Sequence, residues 1–229
     1  MRLFLQLLAL VLLFSPIQAS AAPEPKQAVH LIETTFSDSV EAVRREQEAI
    51  SQDPRVAYRL ITELLSPHID FKLISQLVLG PHWRSADEAQ RERFVSAFQE
   101  SLLRTYAVAL QEHIGEVEKH LDKGEQLLKV HPLPPGVKGR RVIVRSELRL
   151  GGQPIAIDYR LYAREDGWKV YDVVIENVSF VANYRTEYNG ILQRSDLDDL
   201  IAQLEARNAK SLRDTEVPQH ALMEEDSQR

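Results

Sequence analysis

The stretch GWKVYDVVIENVSFVANYRTEYNGIL, from Gly167 to Leu192, changes its hydrophobic period partway along. Its first part alternates apolar with polar residues, which predicts a half-buried β-strand after a tight turn at Asp166 and Gly167. Three side chains of this strand share an apolar face: Trp168, Val170 and Val174. Asp172 falls on the same face, so either it has a polar partner there or the register of the strand changes at that point.

The second part of the stretch has a helical period. One apolar stripe follows Glu176 and consists of Phe180, Tyr184, Tyr188 and Ile191. Ser179 precedes the stripe and is a typical N-cap residue. A final helix is predicted to open at Ser195, with Asp198 three residues further on. Its inner side carries Leu197, Leu200, Ile201 and Leu204. The chain therefore passes here from a sheet to two C-terminal helices.

Upstream of this stretch, a period of two begins near Glu125, and Gly151 and Gly152 separate two alternating segments. A two-residue turn at these glycines pairs Leu148 with Ile155, Ser146 with Ile157, Val144 with Tyr159 and Val142 with Leu161. On the opposite face Arg145 then meets Asp158, which is a favourable cross-strand pair. A slip of one residue would move every apolar side chain to the other face, so this register is strongly specified.

Helical patterns precede the sheet. Between residues 27 and 52, apolar residues recur in steps of three and four, as in an amphipathic helix. A second helix is predicted to begin with Asp53 as its N-cap and Pro54 at its first position, where the missing donor is harmless. A third segment, 69–79, stops at Gly80, which can adopt the left-handed conformation of a helix C-cap.

The next helix is long. Ser85 and Glu88 have the spacing of a capping box, and the helical pattern extends to Ile114. One side of it repeats a large apolar residue every four positions: Phe94, Phe98, Leu102 and Tyr106. The order of the elements is helices, an antiparallel meander of about four strands, and two more helices. We therefore predict a single domain of the α+β class.

The N-terminus indicates the compartment. Arg2 is followed by an apolar run over residues 3–14, a helix breaker at Pro16 and the small residues 19–21, which is typical of a secretory signal peptide. The sequence has no Cys, so it offers neither a lipid-attachment site nor disulfides. An exported protein without disulfides points to a bacterial envelope. We expect a periplasmic protein after cleavage near Ala21.

This processing divides the sequence into a signal peptide, 1–21, a domain, 22–209, and a polar, charged tail, 210–229, which we expect to be disordered. The formal net charge is −6, and the short basic clusters have acidic neighbours in the sequence. Nucleic-acid binders concentrate Lys and Arg on one face, so this composition argues against DNA or RNA as a partner.

Motifs for catalysis or metal binding are weak. His113, Glu116 and His120 share a helical face but lack a known zinc spacing, and neither a G-x-S-x-G elbow nor a phosphate-binding glycine loop is present. Two carboxylates on the predicted sheet, Asp158 and Asp172, are the candidates for a general base. The first has Arg145 opposite it and is expected to form a surface ion pair. The second leaves open a small exported enzyme with a curled-sheet pocket and Asp172 as its base.

Several segments in order resemble the MlaC family, the phospholipid-transport proteins of Gram-negative envelopes also described as toluene-tolerance components. They are VLGPHWR (78–84), QRERFVSAFQESLLRTY (90–106), the stretch from Gly167 to Leu192, and the D-x-L-I-x-x-L pattern at 198–204. Two positions depart from the pattern, because the family usually has Gly at Asn177 and Phe at Tyr188. Asn is the non-glycine residue that best tolerates left-handed backbone, so the same turn can form.

The resemblance implies a non-enzymatic periplasmic carrier with phospholipid as its bound ligand and no cofactor. It also implies two partners: an outer-membrane lipoprotein-porin complex and an inner-membrane ABC transporter with a periplasmic lipid-binding ring. Such a carrier needs an internal apolar cavity. We expect one wall from the sheet, formed by Val142, Val144, Ile157, Tyr159, Leu161, Trp168 and Val174. The other wall is expected to comprise Phe94, Phe98, Tyr106, Val178, Phe180 and Tyr184. Arg185 is a candidate for a head-group contact at the mouth or for a surface ion pair.

Overall fold

The computed structural model describes residues 23–121, 127–149 and 153–215. The predicted signal peptide, the turn at Gly151 and Gly152, and the chain from residue 216 onward lie outside these ranges. The helices are α1 (Pro25–Gln52), α2 (Pro54–Leu64), α3 (Phe71–Leu79), α4 (Pro81–Ser85), α5 (Glu88–Leu121), α6 (Phe180–Leu192) and α7 (Leu197–Asn208). The strands are β1 (Leu128–Val130), β2 (Arg141–Leu148), β3 (Ile155–Arg164), β4 (Gly167–Ile175) and β5 (Val178–Ser179). Short 3₁₀ turns cover Ser66–His68 and Leu212–Asp214.

Side-chain caps fix the helix starts. Asp53 accepts a hydrogen bond from the amide of Arg55 at the start of α2, as predicted. The capping box of α5 lies two residues later than predicted. Asp87 and Gln90 bond each other's backbone amides, at 2.8 and 3.1 Å, and the Ser85 hydroxyl instead donates to the carbonyl of His82. The sequence contains two overlapping capping-box patterns here. Ser85 is not the N-cap of α5 because it is the last residue of α4.

The other helix bounds differ less from the prediction. Helix α5 continues past the predicted end at Ile114 to Leu121. Helix α7 is capped one residue later than predicted, because Asp196 rather than Ser195 accepts from the amide of Asp199, at 2.9 Å. Gly80 ends α3 with a φ of 54°, a left-handed value that glycine adopts without strain.

The strands form one antiparallel sheet in the order β1-β2-β3-β4-β5. All four predicted pairs between β2 and β3 are confirmed, as is the pairing of Arg145 with Asp158. Their side chains form an ion pair at 3.7 Å. Five strands are present instead of about four, since short strands are added at both edges. The α+β class is confirmed.

A β-bulge in β4 changes the face on which its later residues lie. Leu161 pairs with Val170, but its neighbour Arg160 pairs with Asp172, so Tyr171 is an extra residue. Directly paired residues point to the same face, so Asp172 lies opposite to Val170. Of the two alternatives for Asp172, the register therefore does change. The prediction that Val174 shares the face of Trp168 is wrong for the same reason, since Val174 pairs with Asp158 of the other face.

The hairpin from β4 to β5 has two central residues, Glu176 and Asn177, with φ values of 47° and 67°. Positive φ at both positions is what a type I′ turn requires. Asn177 thus adopts the left-handed conformation expected for a position where glycine is common in the resembling family. The turn is also held across the sheet, since the Glu176 carboxylate accepts from the amide of Ala156 at 2.6 Å.

The buried apolar residues form three clusters, and two of them lie on opposite faces of β4. The sheet cluster joins α1 to the inner face of the sheet: Ala28, Ile32, Leu128, Val142, Val144, Leu161, Ala163, Trp168 and Val170. The helical cluster joins α3, α4, α5, α6 and α7, and Tyr171 of β4 packs against it. A third cluster, around Ala42, Ile50, Leu60 and Ala107, joins α1 to α2 and α5. The face of the sheet opposite the sheet cluster is called the outer face below.

Candidate functional site

The aromatic residues predicted for the helical wall do meet. Phe94 and Phe98 of α5 are stacked with ring centroids 5.5 Å apart, and Tyr184 of α6 approaches Phe98 edge to face at 5.2 Å. Phe180 lies 4.8 Å from Tyr184 and 6.4 Å from Tyr106, measured between centroids. These rings are called the aromatic ladder below. At its closed end Phe94 and Phe98 are fully buried, and at its more open end Tyr106 and Phe180 are partly exposed.

The residues predicted for the sheet wall also share the inner face of the sheet, with one exception. Val142, Val144, Leu161 and Trp168 are buried in the sheet cluster, and Tyr159 packs against it partly exposed. Ile157 is buried and pairs with Ser146 and Ile175 at the far end of the inner face. Val174 is the exception, because the bulge places it on the outer face. Val178 belonged to the other wall, and its 53% exposure contradicts the predicted interior position.

The two walls belong to separate clusters and are not packed against each other as one core. Helix α1 covers the sheet cluster through Val29, Ile32 and Phe36, and the indole of Trp168 donates to the carbonyl of Glu24 at 3.0 Å. The helical cluster is closed instead by α3 and by Leu200, Ile201 and Leu204 of α7. The sequence showed the apolar stripe of α1 but not the element it packs against, so this cover was missed.

Burial raises the pKa of tyrosines in both the helical cluster and the sheet cluster. Desolvation raises the pKa of Tyr106 to about 12, and it raises the pKa of Tyr184 and Tyr188 above their ordinary value. Burial also raises the pKa of Tyr159, against a smaller opposing effect of its hydrogen bond with Ser146. These hydroxyls therefore stay neutral at physiological pH. These tyrosines contribute rings that are apolar except at the hydroxyl to both clusters.

Asp172 is 3% exposed and has three hydrogen-bond partners. Its Oδ2 accepts from Nη1 of Arg160 at 3.0 Å and from the hydroxyl of Ser179 at 2.7 Å. Its Oδ1 accepts from the amide of Val181 at 3.0 Å, while Ser179 caps the amide of Ala182 at 3.1 Å. Both oxygens are thus engaged in holding the N-terminus of α6 on the bulge of β4. These contacts explain the buried carboxylate by a structural role and give no support to the predicted general base.

Other polar candidates are also accounted for. The Nε of Arg185 donates to the carbonyl of Leu77 at 2.7 Å, near the end of α3, and the side chain forms no ion pair among the described residues. The surface ion pair is therefore not formed there, whereas the head-group contact stays a prediction. Within residues 23–121, 127–149 and 153–215, no three His, Asp or Glu side chains converge as a metal site would require. No helix in these ranges has the length and apolar character needed to cross a membrane.

The comparisons with known proteins agree with one another. A protein-family model described as "MlaC protein" matches residues 33–206. Intermembrane phospholipid transport system binding protein MlaC of Haemophilus influenzae is 26% identical over 175 residues, which are 74% of this chain and 75% of the relative. Toluene tolerance protein ttg2D of Pseudomonas putida is 24% identical over 189 residues, 81% of this chain and 82% of the relative.

A solved structure shares the fold and provides a ligand for comparison. The phospholipid-binding protein from Ralstonia solanacearum, determined in complex with a phospholipid, superposes with a TM-score of 0.65 at 25% identity. The match covers 79% of this chain and 96% of that one. Since the family model spans most of the described domain, and the fold agrees with that of a phospholipid complex, the chain belongs to the MlaC family.

Proposed function

We propose that this protein is a periplasmic phospholipid carrier. The similarity to the Ralstonia solanacearum protein, which was solved with a phospholipid bound, carries the proposal, because it extends over nearly the whole of that chain. The names of the two curated relatives, a phospholipid-transport binding protein and a toluene tolerance protein, support the same function. The ligand is a two-chain phospholipid, and the contacts of Asp172 do not favour the enzyme alternative.

The acyl chains are proposed to lie on the inner face of the sheet, between the partly covered residues of the sheet cluster and the open end of the aromatic ladder, where Phe180 directly follows the edge strand β5. Tyr159 on one side and Tyr106 and Phe180 on the other support this location, because they are large, apolar and only partly covered. The fully buried Phe94, Phe98, Val144 and Leu161 then form the packed backing of the site. Val142, Ile157, Trp168 and Tyr184 complete the proposed surroundings, whereas Val174 and Val178 are dropped from the site.

The energetic reason for an enclosed site is the cost of hydrating hydrocarbon. Each CH₂ group removed from water is worth ~0.8 kcal/mol, so two chains of about sixteen carbons represent on the order of 25 kcal/mol. An unaccompanied phospholipid cannot cross an aqueous compartment at a useful rate against such a cost. A carrier that offers a dry site for the chains removes most of it.

The carrier is proposed to act between two membranes. Its partners are then the outer-membrane lipoprotein-porin complex and the inner-membrane ABC transporter with its lipid-binding ring, as the family resemblance implies. The N-terminal pattern supports export and cleavage near Ala21. Release of the lipid requires that a docked partner bind a more open arrangement of helices and sheet better than the closed one.

Mass spectrometry of lipids extracted from the purified mature protein tests the proposal. We expect about one two-chain phospholipid per protein, in line with a single enclosed site. Phe180→Glu should lower this recovery strongly, because it places a carboxylate among the acyl chains. Val178→Glu, two residues earlier and exposed, is the matched control and should retain the lipid. A folded wild-type protein without lipid would contradict the proposed function, and equal recovery from both variants would contradict the proposed location of the acyl chains.

A further inference from the structure

The outer face of the sheet is covered on one side only. On the β4 side, Tyr171 packs into the helical cluster and Asp172 binds the N-terminus of α6. On the β2 side, the outward residues Arg141, Ile143 and Arg145 are all exposed. The β2 part of the outer face, together with Tyr162 of β3, is called the open face below. It is an accessible sheet surface, whereas the inner face of the sheet is packed against α1.

Cations converge on this open face around one aromatic ring. The guanidinium carbons of Arg164, Arg140 and Arg141 lie 5.2, 5.4 and 5.7 Å from the ring centroid of Tyr162. Arg164 is neutralised by Asp70, to which its Nε donates at 2.8 Å. Arg140 donates to the carbonyl of Ala163. No carboxylate of the described residues lies within ion-pair distance of Arg140 or Arg141, so two positive charges remain available to a ligand.

An apolar depression lies beside these charges. Ile143 is 43% exposed, although a large aliphatic side chain on a strand is usually covered. It forms the floor of a depression of about 320 Å³ whose other lining residues are His131, Pro132, Pro134 and Arg145. Arg141, Ile143 and Arg145 therefore present a cation, an apolar side chain and a second cation along one strand. Successive members are about 7 Å apart, the repeat of two residues in a strand. The ion pair of Arg145 with Asp158 is long, at 3.7 Å, and the Arg145 side chain stays 62% exposed, so its guanidinium is accessible to a second carboxylate.

We propose that the open face is a docking surface for an acidic protein segment in extended conformation. An apolar side chain of the segment occupies the depression over Ile143, and carboxylates two residues to either side of it bind Arg141 and Arg145. An extended segment presents alternate residues on one face with the same repeat as β2. The guanidinium group binds carboxylates in a bidentate geometry, and an apolar anchor within a charged rim is typical of protein interfaces.

The charge of the whole chain favours a protein segment over a membrane. The chain has a formal net charge of −6, which repels an extended anionic surface as a whole. A short acidic segment, by contrast, contacts only the open face, where Arg140 and Arg141 have no carboxylate partner among the described residues and Arg145 is exposed. The inference goes beyond lipid binding, because the open face lies on the other side of the sheet from the sheet cluster. Segment binding and lipid recovery are therefore separate measurements.

Fluorescence anisotropy with a short labelled peptide tests this proposal on the mature protein. The probe has the central sequence Glu-Ser-Leu-Ser-Glu, and the control peptide has Gln in place of both Glu residues. We expect saturable binding of the probe that weakens as salt increases, and weaker binding of the control. Arg141→Glu should weaken binding of the probe by about tenfold, because attraction becomes repulsion at one of two charge contacts. Ile143→Ser should weaken it as well, through loss of the anchor.

Arg45→Glu is the matched control, since it makes the same charge change at an exposed position of α1 and should leave binding unchanged. Equal effects of Arg141→Glu and Arg45→Glu would overturn the proposal, as would equal binding of the two peptides or no binding of either. Sedimentation with vesicles of phosphatidylglycerol and phosphatidylcholine tests the alternative that the open face binds a membrane surface. If the wild type binds vesicles but not the peptide, and Arg141→Glu abolishes vesicle binding, then the ligand of the open face is a membrane surface and the proposed protein segment is wrong. Unchanged lipid recovery in Arg141→Glu would show that the proposed carrier function is intact in either case.

Discussion

Arg160 on β3 and Asp172 on β4 are joined by a hydrogen bond of 3.0 Å between Nη1 and Oδ2, directly across the bulge that changes the register of β4. The same carboxylate binds the N-terminus of α6. This one side chain thus ties the sheet to the helix that carries the open end of the aromatic ladder. The contact depends on the bulge, because without the extra residue Asp172 would point into the sheet cluster.

Replacing this carboxylate should destabilise the fold. Asp172→Ala removes an ion pair and leaves the buried amide of Val181 without its partner, at a cost of about 2–3 kcal/mol. The loss should appear in the free energy of unfolding measured with urea. Asp158→Ala breaks an exposed ion pair of 3.7 Å on the same sheet and should cost less than about 1 kcal/mol. Similar losses in the two variants would contradict the role given to Asp172.

The closed end of the aromatic ladder should contribute to stability rather than to lipid binding. Phe98 is fully buried and contacts Phe94, Tyr184 and Tyr188, so Phe98→Ala should cost about 3–5 kcal/mol. Phe98→Leu retains most of the volume and should be better tolerated, with lipid recovery close to that of the wild type. Thermal unfolding and lipid extraction measure the two effects. A folded Phe98→Leu protein that has lost its lipid would place Phe98 on the lining.

The left-handed turn between β4 and β5 predicts a preference at Asn177. Asn177→Gly should be tolerated without loss of stability, because glycine adopts a φ of 67° freely. Asn177→Val should be destabilising by about 1–2 kcal/mol, because a β-branched side chain is strained in that region. Urea unfolding compares the pair. Equal stability of the two variants would mean that the turn relaxes to another conformation.

The buried tyrosines predict a loss of stability at alkaline pH. Burial raises the pKa of Tyr106 to about 12, while an unfolded tyrosine ionises near pH 10. A pKa raised on folding contributes stability that is fully present below the unfolded value and is lost as the pH rises through the folded value. The free energy of unfolding should therefore fall between about pH 10 and pH 12.

Tyr106→Phe tests the contribution of this hydroxyl to the alkaline loss. The variant keeps the ring but cannot ionise, so its stability should decline less steeply over the same interval, with little change at neutral pH. Unfolding by urea at several pH values gives both slopes. An unchanged slope in Tyr106→Phe would assign the loss to the other tyrosines with raised pKa, Tyr159, Tyr184 and Tyr188.

Alternation and periodicity predicted most elements of the fold. The pairing of β2 with β3 followed from the polarity pattern and two glycines, because a wrong register would expose every apolar residue. The bulge at Tyr171 could not be located in this way, since no Gly or Pro marks it. Its one signal was Asp172, a polar residue in an apolar alternation. The caps at Asp87 and Asp196 were missed because Ser and Asp occur together at both sites and either can serve.

The sequence predicted which aromatic residues meet in the interior but not which elements they face, and their contact with lipid stays a prediction. Spacing by four residues brought Phe94, Phe98 and Tyr106 to one side of α5, and they do share the helical cluster. The same spacing carries no information on which face of the sheet they approach. Val178 was placed inside because it follows a buried strand, whereas a two-residue turn puts it at the sheet edge. Long-range packing of this kind depends on chain topology, which a local pattern does not encode.

Strand β4 contributes to both of the large apolar clusters, through Trp168 and Val170 on one face and Tyr171 on the other. Loss of packing in either cluster would destabilise β4, against which the other cluster also packs. The domain should accordingly lose its structure in one cooperative calorimetric transition, with the amides of β4 among the slowest to exchange with deuterium.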